Sequence, residues 1–268
     1  MNKPNFLKET LAKKELFIFD MDGTIYLGDR VFDAAVRYID RLRKSGKHVL
    51  FFTNNASHTS FFYRSKLSRL GFSPQDGEIM TSGDVTKVYL NRFRPGKTVF
   101  LVGTDELTED FRSSGIPLAD IHAPRADLVV TSFDTSLTYE KLEAACRFIR
   151  DGAEYLSTHP DFNCPTEHGF IPDSGAIAAF VTASTGVTPV YFGKPYPETV
   201  QMICEATGCT KNEMCVFGDR LYTDIALGVR NGVTSVLVMT GETTKAQLEA
   251  AAPEEKPSFV IPSFSALL

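Results

Sequence analysis

The 268 residues carry 28 basic and 33 acidic side chains, a net charge of −5, with 43% apolar residues and a mean hydropathy of −0.09. This is the balance of a water-soluble chain with enough apolar material for one large domain or two medium ones, and it argues against sequence-independent affinity for nucleic acid. No apolar run reaches the length of a membrane span and the amino terminus has no signal-peptide-like stretch, so no membrane contact is expected.

Residues 1–15 form a polar, Lys-rich lead-in with room for a short helix. Leu16 to Phe19 is a short apolar run, as expected of a strand buried on both faces of a parallel sheet. It leads straight into Asp20, Met21, Asp22, Gly23 and Thr24. Alternation along an extended chain would turn Asp20 and Asp22 the same way, and Gly23 allows a sharp turn after them. Two carboxylates that close repel unless a cation neutralises them, and a hard cation such as Mg²⁺ would leave one carboxylate able to act as nucleophile. The plainer alternative is that DMDG is a polar turn capping a strand.

Val31 to Lys44 has apolar residues near helical spacing at Val31, Ala35, Ile39 and Leu42, with Gly46 beyond its end. His48 to Thr53 (HVLFFT) is a second apolar run, followed by Asn54 and Asn55, and Thr59 to Leu70 is a helix candidate closed by Gly71. Strands are then expected over residues 98–103, 127–133 and 154–158, with a helix over 138–150 capped by Thr138. This middle region has its own apolar core and is expected to be an α/β domain of residues 83–185 inserted between 1–82 and 186–268. Val190 to Lys194 is expected to return to strand, Pro197 to open a helix stopped by Gly208, and Met214 to Phe217 to form a buried strand ending in Gly218, Asp219 and Arg220. Ser235–Met239 and Phe259–Ile261 are the last strands. Strand and helix alternate throughout, which predicts an α/β fold: a Rossmann-like parallel sheet core with helices on both faces, plus the insertion. The five cysteines form no CxxC pair and fit reduced thiols of a cytoplasmic protein better than a disulfide framework or a zinc site.

Four polar clusters follow four apolar runs: Asp20 with Asp22, Thr53 with Asn54, Lys194, and Asp219 with Asp224. In a parallel sheet such strand ends share one edge, where carboxylates can hold Mg²⁺ and a hydroxyl, amides and a lysine can hold phosphate oxygens. DMDGT, TNN, GKP and GDRLYTD, in this order and over these distances, resemble the motifs of the haloacid-dehalogenase superfamily of aspartate-nucleophile phosphatases. The insertion resembles the large α/β cap of its nitrophenylphosphatase-like branch.

That resemblance implies a Mg²⁺-dependent phosphatase of a small phosphorylated metabolite. Asp20 would be the nucleophile and Asp22 the general acid and base. Asp20, the main-chain carbonyl of Asp22 and Asp219 would bind the metal, with Asp224 orienting it from behind. Thr53, Asn54 and the neighbouring Asn55 would grip the phosphoryl group, and Lys194 would balance charge on it and on Asp20. The cap segment Thr158 to Gly169 would select the substrate. Relatives often read TNPD where this chain has Thr158, His159, Pro160 and Asp161, and many carry a Pro-Gly-x-Gly turn where it has Pro172, Asp173, Ser174 and Gly175. His159, Asp161 and Asp173 are therefore expected either to help choose the leaving group or to be exposed loop residues. A phosphotransferase or phosphomutase using the same intermediate and a non-catalytic phosphometabolite-binding protein are the alternatives, and the cap could supply a homodimer surface.

Overall fold

The computed structural model describes residues 4–166 and 169–268. The chain folds as two compact units, one of Met1–Thr53, Tyr63–Met80 and Lys194–Leu268, the other of Asn54–Phe62 and Thr81–Gly193. The boundaries expected after residues 82 and 185 divide it differently. Asn54–Phe62 and the stretch up to Gly193 belong to the second unit.

The first unit is built on a six-stranded sheet in the order Phe259–Ile261, Thr234–Val238, Met214–Gly218, Leu16–Phe19, His48–Thr53, Ile79–Thr81. Leu16–Phe19 lies in the middle and pairs in parallel with Met214–Gly218 on one side and His48–Thr53 on the other. All four of its residues are buried, as a strand covered on both faces requires. The amphipathic helix Asp33–Lys44 turns Ala35, Tyr38, Ile39 and Leu42 inward. The register places Phe19 opposite Phe217, and their rings stack with centroids 5.0 Å apart. Such a contact contributes about 0.5–1.5 kcal/mol beyond burial. It also fixes the carboxyl ends of two strands, since Asp20 follows the first ring directly and Asp219 follows the second by two residues.

The second unit has a four-stranded parallel sheet in the order Val190–Tyr191, Glu154–Ser157, Leu128–Thr131, Val99–Val102. Asn163–Thr166 and Gly169–Pro172 pair as an antiparallel ribbon. The helix Tyr139–Arg150 starts where expected, Thr138 accepting a hydrogen bond from the Lys141 amide at 3.3 Å. Its inner face packs with Phe100, Val129, Tyr155 and Val181 in the core of this unit. Val190 to Lys194 departs from expectation. Only Val190–Tyr191 is strand, and it pairs with Glu154–Ser157 in the second unit's sheet rather than joining the first. Among the described residues no helix is long and apolar enough to cross a membrane.

Candidate active site

Asp20 continues the central strand by one ladder bond, its amide donating to the Phe217 carbonyl at 2.9 Å. The chain then turns, with the Met21 carbonyl accepting from the amides of Thr24 and Ile25, so extended alternation stops at the first aspartate. The two aspartates differ in burial for this reason. Asp20 is partly buried within a cluster, whereas Asp22 is exposed and its carboxylate lies outside that cluster.

The cluster consists of Asp20, Asp219 and Asp224, each offering one carboxylate oxygen within 4.8 Å of the others. Asp219 leaves the carboxyl end of Met214–Gly218, and Asp224 lies on the single π turn Leu221–Ile225 that follows. Such widened turns recur at functional sites because they re-aim one side chain. Asp224 is fully buried. Lys194 reaches between them, its Nζ 2.5 Å from Asp20 Oδ1 and 2.7 Å from Asp224 Oδ1, with the Phe52 carbonyl at 3.4 Å. This lysine does not end a strand of the first sheet, as its apolar lead-in suggested; it opens the return segment of the first unit after Gly193.

The Lys194 ammonium, with the Arg220 guanidinium acting on Asp219, does not balance three clustered carboxylates. Burial, and then the charge of Asp224, push the Asp20 carboxyl up to about 7 although Lys194 opposes the shift. Burial and Asp224 likewise push Asp219 up to about 6. Burial would lower Lys194, but Asp20 and Asp224 outweigh it and hold the ammonium charged, above its ordinary range. The pocket is short of positive charge and rich in oxygen donors, so the residues fit a hard divalent cation. Asp20, Asp219 and Asp224 are the carboxylates that could hold it. Asp224 Oδ1 lies against Lys194 and its Oδ2 accepts from the Arg220 amide at 3.1 Å.

Residues outside the expected set complete the first unit's site. The buried Thr24 hydroxyl lies 3.3 Å from Asp20 Oδ2 and 3.2 Å from Asp219 Oδ1. The loop after Thr234–Val238 wraps Asp219, the Glu242 amide donating to its Oδ2 at 2.6 Å and the Thr243 amide to its carbonyl at 3.2 Å. A Cβ on Gly241 would stand 2.0 Å from Asp219 Oδ2, and one on Gly23, at φ +83°, would stand 2.4 Å from the same atom. Only glycine lets these two backbones approach the carboxylate so closely. Gly23 stood out in the sequence because it follows the aspartates, while Gly241 carried no comparable mark.

Thr53 ends the strand His48–Thr53, and Asn54 and Asn55 follow it into the second unit. There Asn54 donates from Nδ2 to Asp161 Oδ2 at 3.0 Å, and Asn55 Oδ1 accepts from the Ser57 amide and hydroxyl at 2.9 and 2.7 Å. His159 and Asp173 are not exposed loop residues. Both are buried and face each other, His159 Nε2 lying 2.8 Å from Asp173 Oδ1. Asp161 is half-buried.

A family model described as haloacid dehalogenase-like hydrolase matches residues 17–117, and a second, HAD-hydrolase-like model matches residues 191–267. An acid sugar phosphatase of Staphylococcus saprophyticus is 35% identical over 233 residues, covering 87% of this chain and 89% of the relative. The chain belongs to the haloacid dehalogenase-like hydrolases. Within that family it falls in the nitrophenylphosphatase-like branch. The crystal structure of a 4-nitrophenylphosphatase from Thermotoga maritima is 42% identical with a TM-score of 0.89, covering 96% of this chain and 97% of that one. A p-nitrophenyl phosphatase from Archaeoglobus fulgidus is 28% identical with a TM-score of 0.87, covering 95% of this chain and 98% of its own.

Proposed function

We propose that this enzyme hydrolyses a small phosphomonoester through an aspartyl phosphate on Asp20, with Mg²⁺ held by Asp20, Asp219 and the main-chain carbonyl of Asp22. The observation that carries this reading is the sharing of one buried lysine by Asp20 and Asp224, with Asp219 beside them and too little positive charge for all three. When bound, the cation would neutralise charge on the phosphoryl group and on the attacking carboxylate.

In the first step an Asp20 oxygen bonds to phosphorus as the bond from phosphorus to the leaving oxygen breaks. Lys194 stabilises the charge that gathers around the phosphoryl oxygens, and Thr53 and Asn54, adjacent in the chain, bind those oxygens, with Asn55 bracing the turn behind them. Asp22, exposed and outside the acidic cluster, gives its proton to the leaving oxygen. In the second step it takes a proton from water, whose oxygen bonds to phosphorus and releases Asp20. Asp224 holds Lys194 from behind. In this reading the second unit is the cap domain, and Asp161, the partly exposed member of its three candidate residues, helps select the leaving group.

The relatives named acid sugar phosphatase favour a sugar phosphate over the other small monoesters this branch uses. Release of p-nitrophenol from p-nitrophenyl phosphate, with Mg²⁺ and then with EDTA, tests the reading. Turnover that EDTA abolishes and Mg²⁺ restores is the expected result, and turnover indifferent to EDTA would refute the metal-dependent mechanism.

A further inference from the structure

His159 is fully buried in the second unit, and its two ring nitrogens face three polar groups among the described residues. Nε2 faces Asp173 Oδ1 at 2.8 Å; Nδ1 faces the Thr158 hydroxyl at 3.0 Å and the Ser82 hydroxyl at 3.2 Å. Neither hydroxyl has a proton to give to the ring. Ser82 donates its own to the main-chain carbonyl of Asn54, and Thr158 donates its own to the Ser132 hydroxyl at 3.0 Å. Both oxygens can therefore only accept from Nδ1, which must carry a proton. Asp173 Oδ1 accepts from the Ser174 amide at 2.6 Å as the cap of the helix Ser174–Thr185, so it faces Nε2 as an acceptor and calls for a proton there too. Either neutral tautomer would leave one of these buried contacts without a hydrogen.

We infer that His159 is held as an imidazolium and is a positioning residue: through Ser82 it fixes Asn54, and with it the turn that follows Thr53. Three further contacts converge on the same asparagine or its neighbour. Asn54 Nδ2 is held by Asp161, and the Gly175 amide fixes the Asp161 carbonyl at 2.8 Å. A Cβ on Gly193 would stand 2.8 Å from both Asn54 Oδ1 and His159 Cβ, so the packing there has no slack. The charges around the ring agree, because burial alone would lower the His159 pKa, yet Asp173, with Asp161 behind it, raises it. The inferred cation thus stands behind the Asn54 turn.

The inference rests on the phosphatase reading only for its effect on phosphate binding. Nitrogen-15 NMR of the histidine-labelled full-length protein should show both ring nitrogens of His159 protonated at neutral pH; one bare nitrogen would overturn the inference. His159→Gln and Ser82→Ala should each shift the Asn54 side-chain amide resonance and weaken inorganic phosphate binding to the Mg²⁺-loaded protein about tenfold, with the double variant no weaker than either single one. Additive losses, or an unmoved Asn54 resonance, would overturn it. If the wild type neither turns over p-nitrophenyl phosphate nor binds phosphate, the phosphatase reading fails, and the ring and Asn54 resonances still decide this one.

Discussion

The Thr24 hydroxyl has one proton to share between Asp20 Oδ2 and Asp219 Oδ1, two oxygens that otherwise repel. Thr24→Val keeps the shape and removes that proton. Partners standing behind metal ligands typically change affinity by about 10–100-fold, so Mg²⁺ binding measured by calorimetric titration should weaken by that order. An unchanged affinity would show that the hydroxyl is a bystander. Thr24 was visible in the DMDGT motif, but nothing linear says that its side chain turns back between two carboxylates. That depends on the Met21 carbonyl closing the turn. Asp20 and Asp219 were legible because each follows a buried apolar run. Asp22 was legible as a residue, but its exposure outside the cluster was not, since alternation cannot foresee where a strand stops.

At the scale of elements, the buried strands were the readable part. Leu16–Phe19, His48–Thr53 and Phe259–Ile261 each follow from a short apolar run bounded by polar residues. The helices Ser82–Phe93 and Asp105–Ser113 were harder to read. Their starts are set by Thr81 and Thr104, whose side chains cap amides three residues on, and such threonines are common outside helices. Val190–Tyr191 misled because a two-residue edge strand joins whichever sheet the tertiary fold brings to it. The link between Glu154–Ser157 and the helix Ser174–Thr185 also carries a pH signature. His159, two residues past that strand, has a pKa raised in the folded state. A raised histidine stabilises fully below its unfolded value near 6.5 and loses that contribution as pH rises through the folded value. Calorimetric melting temperatures of the wild type should therefore fall as pH is raised above about 6.5 relative to those of His159→Gln. Parallel curves for the two proteins would contradict this.

For the whole molecule, the net charge of −5 says little about chemistry, while the few buried charges say much. With the proposed cation on the carboxylates at the ends of the first unit's strands, folding and cation binding would be one linked equilibrium. At a Mg²⁺ concentration of about 100 times its dissociation constant, unfolding should become harder by about 2.7 kcal/mol, and Asp219→Asn should abolish the gain. Because the cation displaces protons from Asp20 and Asp219, the gain should grow as pH rises past the values near 7 and 6 that those groups hold without it. Urea titrations with and without Mg²⁺ measure both effects.

The claim on which the account turns is that Asp20 itself is phosphorylated. p-Nitrophenol departs without help from an acid, so Asp22→Asn should still allow the first step from p-nitrophenyl phosphate while blocking activation of water in the second. Mass spectrometry of peptides from the rapidly quenched Asp22→Asn protein should find the mass of one phosphoryl group on Asp20, absent from an Asp20→Asn, Asp22→Asn double variant. A phosphoryl group on another residue, or a burst of p-nitrophenol with Asp20 unmodified, would contradict the account.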